Sequence, residues 1–325
     1  MIPALRISDA LRSIVFHELK GPNLACAKAT ISSSQSFGSR GFRARGYEFV
    51  SFWKDALIQR QDRVTQVWKD GQRLRAAGSA RMRCGAKVWE IDHLYLQKTT
   101  PGFDFPEDDF ARLLDDLVLA ARERGAERVF LRCFAGSEVT QLAQRAGFFH
   151  YFNQVLLEKD VTTETSDGAS GGTSDASDGA EFVRERLPHD THGLFQLFSA
   201  ATPQQVRVGL GFTLEQWRDA QEPRRGQEWV SHQNDRLTGW AAAGPQRADT
   251  YGEVMIHPDH PELLPVMARL ILSQPGPQKW LVPDYQEATH DLLSRKGFQE
   301  TSEYAILAKT VAAREFSHSM TAVEA

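Results

Sequence analysis

The sequence contains one stretch twice, and this repeat constrains the fold more than any other feature. The first copy spans 125–159, GAERVFLRCFAGSEVTQLAQRAGFFHYFNQVLLEK, and the second spans 276–309, GPQKWLVPDYQEATHDLLSRKGFQETSEYAILAK. Each copy predicts a strand, a helix, a Gly-Phe turn and a second strand. A period of about 150 residues is too long for a solenoid repeat. The sequence therefore predicts two similar domains in tandem.

The two copies agree at the end of the helix, in the turn and in the last strand. Glycine commonly ends a helix because it adopts positive φ without strain, and both copies have one at this point. Laid together, the copies match Arg145 with Arg295, Gly147 with Gly297, Phe148 with Phe298, Leu157 with Leu307 and Lys159 with Lys309.

Composition and charge are those of an ordinary globular protein. The chain has 325 residues, of which 41% are hydrophobic and 25% charged, and this length favours about two domains. Its formal net charge of -4 provides no global basic field, so the sequence predicts no nucleic-acid partner. The basic run from Lys28 to Arg45 is interpreted as a solvated loop, with a transit peptide or a phosphate-binding patch as alternatives.

Cysteine usage and hydropathy indicate a cytoplasmic protein. Cys26, Cys84 and Cys133 are widely spaced and form no CxxC pair, which argues against a disulfide framework or a zinc site and favours a reducing compartment. No apolar run reaches the roughly 18 residues of a membrane helix, so we expect no membrane partner and no metal.

Composition also predicts the domain boundaries. The stretch 161–181 is rich in Ser, Thr, Gly and Asp, which bury too little apolar area to offset chain entropy, and it is predicted to be a flexible linker. The predicted organisation is an N-terminal domain at 1–160, with 1–48 giving little structural signal, then the linker, a C-terminal domain at 182–311 and a tail at 312–325.

Both halves show the same order of predicted elements, a mixed α/β pattern. A hairpin precedes a central strand, and a crossover helix, a strand, a helix and a last strand follow. In the second half these elements are predicted at Trp229–Ser231 and Leu237–Ala243 around an Asn234-Asp235 turn, then at Val254–Ile256, Leu264–Leu272, Trp280–Val282, Glu287–Arg295 and Tyr304–Leu307.

This order resembles the GCN5-related N-acetyltransferase (GNAT) superfamily. Val254–His260, VMIHPDH, resembles the strand-end VxVxPxH pattern of the family, and Leu292–Phe298, LLSRKGF, resembles its LYxxxGF helix end. Phe195–Thr213 looks like the start of the second domain in bacterial proteins that carry two such domains. The resemblance implies a mixed-sheet fold of two tandem acyl-CoA N-acyltransferase-like domains.

The activity implied by this resemblance is acyl transfer from acetyl-CoA to a primary amine of a small molecule or peptide. In the family, the central strand splays from its neighbour, and a strand-end N–H in the gap polarises the thioester carbonyl. A glycine-rich loop at the start of the crossover helix holds the pyrophosphate. The implied cofactor-binding positions here are Met255, Ile256, His257, Leu263 and Leu264.

The resemblance also implies a carboxylate base and a tyrosine acid. Glu253, on the central strand of the second half, is the candidate base, and Glu90 and Asp92 are the corresponding candidates in the first half. Tyr285, at the end of a predicted strand, is the candidate proton donor, and Tyr304 is an alternative. Each of these tyrosines is also compatible with a half-buried packing role.

The sequence departs from the family pattern where the pyrophosphate would bind. The family places Arg or Gln and two glycines after the strand end, whereas this chain has Pro261-Glu262-Leu263-Leu264-Pro265-Val266. Proline has no N–H to offer a phosphate, and a glutamate adds repulsion. Two readings therefore stay open: an N-acetyltransferase with weak binding of acetyl-CoA, or an inactive acyltransferase-like module that binds or scaffolds a partner.

Overall fold

The computed structural model describes residues 35–36, 61–70, 73–96, 107–159, 183–222, 226–246, 249–276 and 278–311. The predicted linker at 161–181, the tail at 312–325 and almost all of 1–48 lie outside these residues, as do residues 97–106.

Two units divide the chain differently from the ranges 1–160 and 182–311. The first unit contains Met1–Arg132, Gln141–Phe149 and Ala308–Ala325. The second contains Cys133–Thr140 and His150–Leu307. The strand at the end of the first repeat copy therefore belongs almost entirely to the second unit.

The first unit is a sheet with one long helix against it. Its strands follow the order β2-β3-β4-β5, with β1 paired to β4, and α1 packs its apolar stripe against β2 and β3. The elements are β1 (Gln35–Ser36), β2 (Arg63–Asp70), β3 (Arg73–Met82), β4 (Val88–Leu96), α1 (Glu107–Arg122), β5 (Arg128–Phe134) and α2 (Glu138–Arg145).

The second unit has the longer sheet, in the order β12-β6-β11-β10-β9-β8-β7. Its strands are β6 (Phe149–Lys159), β7 (Val183–Glu185), β8 (Gln227–Gln233), β9 (Arg236–Gln246), β10 (Asp249–Ile256), β11 (Gln278–Pro283) and β12 (Gln299–Thr310). The last three residues of β12 belong to the first unit. Its helices are a 3-10 turn at Pro188–Asp190, α3 (Thr191–Ala201), α4 (Gln204–Leu210), α5 (Leu214–Ala220), α6 (Leu263–Leu272) and α7 (Glu287–Arg295).

The mixed α/β class predicted from the sequence is confirmed, and so is the order of elements in each half. Strand β10 pairs parallel with β11, whereas the pairs β9–β10, β6–β11 and β8–β9 are antiparallel. The hairpin between β8 and β9 turns at Asn234 and Asp235, whose φ values are 50° and 61°, as a two-residue turn requires. Helix α4 was not predicted, because seven residues are too few to show a helical stripe.

Two apolar clusters cover opposite faces of the second sheet. Alternate residues of a strand point to opposite faces, so Val254 of β10 packs with α6, while Met255 packs with α3 and α5. Gly252 belongs to the α6 face, where a Cβ would lie 2.6 Å from the indole of Trp280 and 2.8 Å from Ile271. The absence of a side chain at this position is therefore a packing requirement.

Strand β6 joins the second unit although the sequence predicts it as the last strand of the first domain. It pairs antiparallel with Gln278–Pro283 of β11, and Leu157 is fully buried in the same cluster as Trp280. In the first unit, Lys309 near the end of β12 donates to the carbonyl oxygen of Ala146 at 2.7 Å. The two copies of the repeat match Leu157 with Leu307 and Lys159 with Lys309 in these strands.

One carboxylate holds the turn that precedes α3. Asp190 accepts both Arg184 Nη1–H and Nη2–H, at 2.8 and 2.7 Å, and the N–H of Leu187 at 2.7 Å. The hydrogen bonds from Arg184 outweigh the effect of burial and lower the pKa of Asp190 to about 2. This network joins β7 to the 3-10 turn that precedes α3, and the opposite end of α3 carries Thr202.

We expect Gly252→Ala to reduce the free energy of unfolding by about 1–3 kcal/mol, because the added methyl group overlaps the Trp280 indole. Urea denaturation measures the loss. Gly239→Ala in β9 is the control, since a Cβ there meets its nearest atom at 3.3 Å and should cost less. Equal losses in the two variants would contradict the close contact at Gly252.

A second prediction concerns acid stability. Because folding lowers the pKa of Asp190 to about 2, its stabilising contribution is complete above the unfolded value of about 3.9 and is lost as the pH falls from there toward 2. Asp190→Asn should therefore destabilise the protein at pH 7 by about 1–3 kcal/mol. The difference from wild type should shrink between pH 4 and pH 2. Denaturation at several pH values measures both, with the exposed Asp291→Asn on α7 as the control.

Candidate functional site

In both units the central strand separates from its parallel neighbour part-way along. In the first unit, β4 pairs with β5 from Val88 to Ile91 and no further. In the second, β10 pairs with β11 from Thr250 to Gly252 and no further. The first residue beyond the paired segment is a carboxylate in each case, Asp92 and Glu253. The structure thus contains two gaps of the kind that the resemblance implies.

The gap in the first unit is occupied by the chain itself. One edge of β4 is paired with β3 along Ala76–Met82, and a strand has only two edges. The residues Gln35 and Ser36 of β1 pair with Leu94 and His93, so they lie on the edge that β5 has left. A ligand at this edge of β4 would therefore meet β1, which takes the place of an open gap.

The carboxylates of this first gap are held in a buried ionic network. Asp92 accepts Arg63 Nη2–H at 2.7 Å and the hydroxyl of Ser79 at 2.7 Å. Burial alone would raise the pKa of Asp92, but the neighbouring His93 and Arg63 hold it well below its usual range. An acid this strong is a poor base, so Asp92 is unsuited to the role that the resemblance implies.

Glu90 is held in the same way. It accepts hydrogen bonds from Arg81, whose Nε lies 2.9 Å from Glu90 Oε1, and from Arg83, whose Nε lies 2.9 Å from Oε2. The Arg83 guanidinium also lies 4.3 Å from the ring centroid of Phe130. All of these side chains are buried, so moving Glu90 toward a substrate would leave buried charges uncompensated.

The gap in the second unit has no strand across it among the residues that the structure describes. His257 donates its N–H to the carbonyl oxygen of Thr238 in β9 at 2.8 Å. Since peptide groups alternate between the two edges of a strand, those of Val254 and Ile256 face the opposite edge. They lie beyond Gly252, the last residue of β10 paired with β11. Their N–H groups are therefore directed into the gap.

Glu253 lies beside this gap on the face covered by α3, and its charge reaches Tyr285. Glu253 is exposed and points to the same face as Met255, which packs with α3 and α5. Tyr285 follows β11 and hydrogen-bonds with the Thr202 hydroxyl at the end of α3. Burial first, and then the charges of Asp284 and Glu253, raise the pKa of Tyr285 to about 12. The phenol therefore carries its proton at neutral pH.

Thr202 has no sequence signal for this role, because it is 83 positions from Tyr285 in the chain and looks like an ordinary helix end. Phe152 of β6 supports the phenol from another side, with ring centroids 5.7 Å apart in an edge contact. Tyr304, the alternative proton donor, is buried and stacks on Phe134 at 4.9 Å. Its contacts are those of a packing residue.

The structure places the candidate cofactor residues at the strand end in different environments. The peptide group of Ile256 faces the gap, whereas that of Met255 faces β9 and its side chain lies in the α3 cluster. His257 forms a turn, as its Nδ1 accepts the N–H of Asp259 at 3.2 Å and its carbonyl oxygen accepts the N–H of His260 at 2.9 Å. That any of them holds a cofactor stays a prediction.

Leu263 and Leu264 begin α6, and their N–H groups are already used. Leu263 donates to the carbonyl oxygen of His260 at 3.1 Å and Leu264 to that of Pro261 at 3.2 Å. Leu264 is also buried in the cluster with Trp280. These two residues contribute to the core, and a phosphate at this helix end would have to compete for their N–H groups.

Glu262 occupies the anion position of α6. Its carboxylate accepts its own N–H and approaches Nδ1 of His260 at 3.2 Å, and the hydrogen bond with its own N–H is the main cause that lowers its pKa. A helix N-terminus attracts negative charge. In this chain the negative charge is supplied by the protein itself.

Acetyl-CoA thus fits the second unit in part. The gap beside Val254 and Ile256 presents peptide groups to a pantetheine arm and a thioester, while the helix end where the resemblance places the pyrophosphate is closed.

Among the described residues, no group of three or more His, Cys, Asp or Glu could hold a metal ion. None of the described helices is long and apolar enough to span a membrane.

Comparison with known proteins identifies GNAT acetyltransferases among the similar solved structures. A GCN5-related N-acetyltransferase from Sphaerobacter thermophilus is 14% identical, with a TM-score of 0.47 over 89% of this chain and 93% of the other. A tandem GNAT protein from the clavulanic acid biosynthesis pathway is 11% identical, with a TM-score of 0.48 over 96% of this chain and 98% of the other. One fold hosts many activities, so identities this low leave the activity open.

No protein-family model matches the chain. No curated protein sequence matches it either.

The environment of Tyr285 predicts that two substitutions shift the pKa of its phenol in opposite directions. We expect one phenol to titrate near pH 12 and to be missing from Tyr285→Phe in ultraviolet difference titrations. Glu253→Gln removes a negative charge and should lower this pKa. Thr202→Val removes a hydrogen bond that favours the phenolate and should raise it. Shifts of the opposite sign would contradict the placement of these three side chains.

Proposed function

We propose that the second unit transfers an acyl group from an acyl-CoA-type thioester to a primary amine. The observation that carries this proposal is the separation of β10 from β11 beside Glu253 and Tyr285. A thioester in this gap would meet backbone N–H groups on one side. On the α3 face it would meet a carboxylate and a protonated phenol.

Each group has a defined part in the proposed reaction. The Glu253 carboxylate takes a proton from the amine, and the nitrogen forms a bond to the thioester carbonyl carbon. The carbonyl oxygen becomes negative while facing the N–H of Val254 or Ile256. The carbon–sulfur bond then breaks, and the thiolate takes the proton of Tyr285. A proton returned from Glu253 to the nearby phenolate restores both groups.

The charges beside the gap favour a cationic acceptor. Glu253 and Asp284 are both close enough to raise the pKa of Tyr285, so the acceptor side of the gap has a negative potential. Such a potential attracts an amine in its ammonium form. The proposed acceptor is therefore a primary amine on a small molecule or peptide that arrives as an ammonium ion and releases one proton to solvent before it reacts as the free amine. The proposed location of the reaction is the cytoplasm.

The first unit supports a different proposal, that of a non-catalytic half. Its gap is occupied by Gln35 and Ser36, and Asp92 is bound by Arg63. These features stabilise a fold and make Asp92 unavailable as a base for an incoming amine. The inactive, scaffolding alternative raised from the sequence therefore applies best to this unit alone.

We expect Glu253→Gln to reduce the turnover number by about 10²-fold or more, because it removes the proposed base. The assay follows thiol release and amide formation from acetyl-CoA with a panel of primary amines, from diamines to lysine peptides. Glu287→Gln is the matched control, as Glu287 is an exposed acid in the first turn of α7 and should leave turnover unchanged.

Two results would count against these assignments. Wild-type turnover in Glu253→Gln would remove Glu253 as the base. No amide product from any amine, with acetyl-CoA or with S-acetylpantetheine as donor, would reject the acyltransferase and leave a binding or scaffolding module.

A further inference from the structure

We infer that the second unit recognises its donor through the pantetheine thioester alone, and that the nucleotide end of coenzyme A makes no contribution at α6. A thioester of pantetheine without the nucleotide would then be as good a donor as acetyl-CoA. This inference rests on the proposed function and concerns which part of the donor is recognised.

The inference is carried by the backbone N–H groups between His257 and Pro265, a segment that the structure describes throughout. The three prolines in this segment have no N–H. Five of the other six N–H groups have an acceptor inside the protein: His257 donates to Thr238 O, Asp259 to His257 Nδ1, His260 to His257 O, Leu263 to His260 O and Leu264 to Pro261 O. The sixth N–H, that of Glu262, faces the carboxylate of the same residue and lowers its pKa.

Two features of this segment oppose the binding of a phosphate at the start of α6. A phosphate at a helix N-terminus is held by free backbone N–H groups and by the positive end of the helix dipole. Here the N–H groups are engaged, and the carboxylate of Glu262 already lies at the positive end. A diphosphate would have to displace this carboxylate and would then be repelled by it.

The gap offers backbone hydrogen-bonding groups that suit a pantetheine arm. Beyond Gly252, the peptide groups of Val254 and Ile256 face the space that β11 has left. An extended amide chain binds to such an edge as an added strand would, through main-chain hydrogen bonds. The pantetheine arm contains two amides and therefore has partners here, independently of any phosphate.

Calorimetric titration of the full chain with acetyl-CoA and with S-acetylpantetheine tests the inference. We expect S-acetylpantetheine to bind as tightly as acetyl-CoA or up to about tenfold tighter, because the loop adds nothing for the nucleotide end and Glu262 repels its diphosphate. Acetyl-CoA binding more than about tenfold tighter would overturn the inference and leave the proposed function in place. Binding of neither donor would reject the proposed function, and this inference with it.

A gain of affinity gives a second, independent test. Glu262→Gln removes the charge at the helix end, so acetyl-CoA should bind about three- to tenfold tighter while S-acetylpantetheine is unaffected. Glu287→Gln, at the first turn of α7 in the same unit, is the matched control and should change neither affinity. A selective loss of acetyl-CoA affinity in Glu262→Gln would show that the loop already holds the nucleotide, and would overturn the inference.

Discussion

The contact between Trp280 and Gly252 marks the point on which the second unit depends. The indole lies against the backbone of β10 on the α6 face, is fully buried, and fits only because residue 252 has no side chain. Up to this contact β10 and β11 are paired, and beyond it they separate. Whatever chemistry the unit performs is placed by this separation, since it exposes Val254 and Ile256 and brings Glu253 to the edge of the gap.

The two units show how one strand position acquires two roles from its surroundings. Asp92 and Glu253 each follow the last paired residue of a central strand. Asp92 is buried against Arg63 and Ser79 and is a weak proton acceptor, whereas Glu253 lies exposed near a phenol that keeps its proton. The local sequence gives both positions a carboxylate, and the neighbouring strands decide whether it is a structural charge or a candidate base.

The start of α6 shows the same principle for anion binding. A helix N-terminus is suited to phosphate only while its N–H groups are free. In this chain the prolines remove some donors, the turn at His257 and His260 engages others, and Glu262 supplies a permanent anion. The gap and the helix end are therefore independent features. The family resemblance implies both a gap and a phosphate-binding helix end, and this chain has only the gap.

The sequence by itself determined the repeat, the mixed α/β order, the position of Glu253 on a central strand and the proline-rich start of α6. These are local properties, because periodicity, turn residues and missing N–H groups are readable within a short window. Only the tertiary structure decided that Gln35 and Ser36 fill the first gap, that β6 joins the second sheet, and that Thr202 meets Tyr285. Such contacts join residues far apart in the chain, so no local pattern distinguishes the partners.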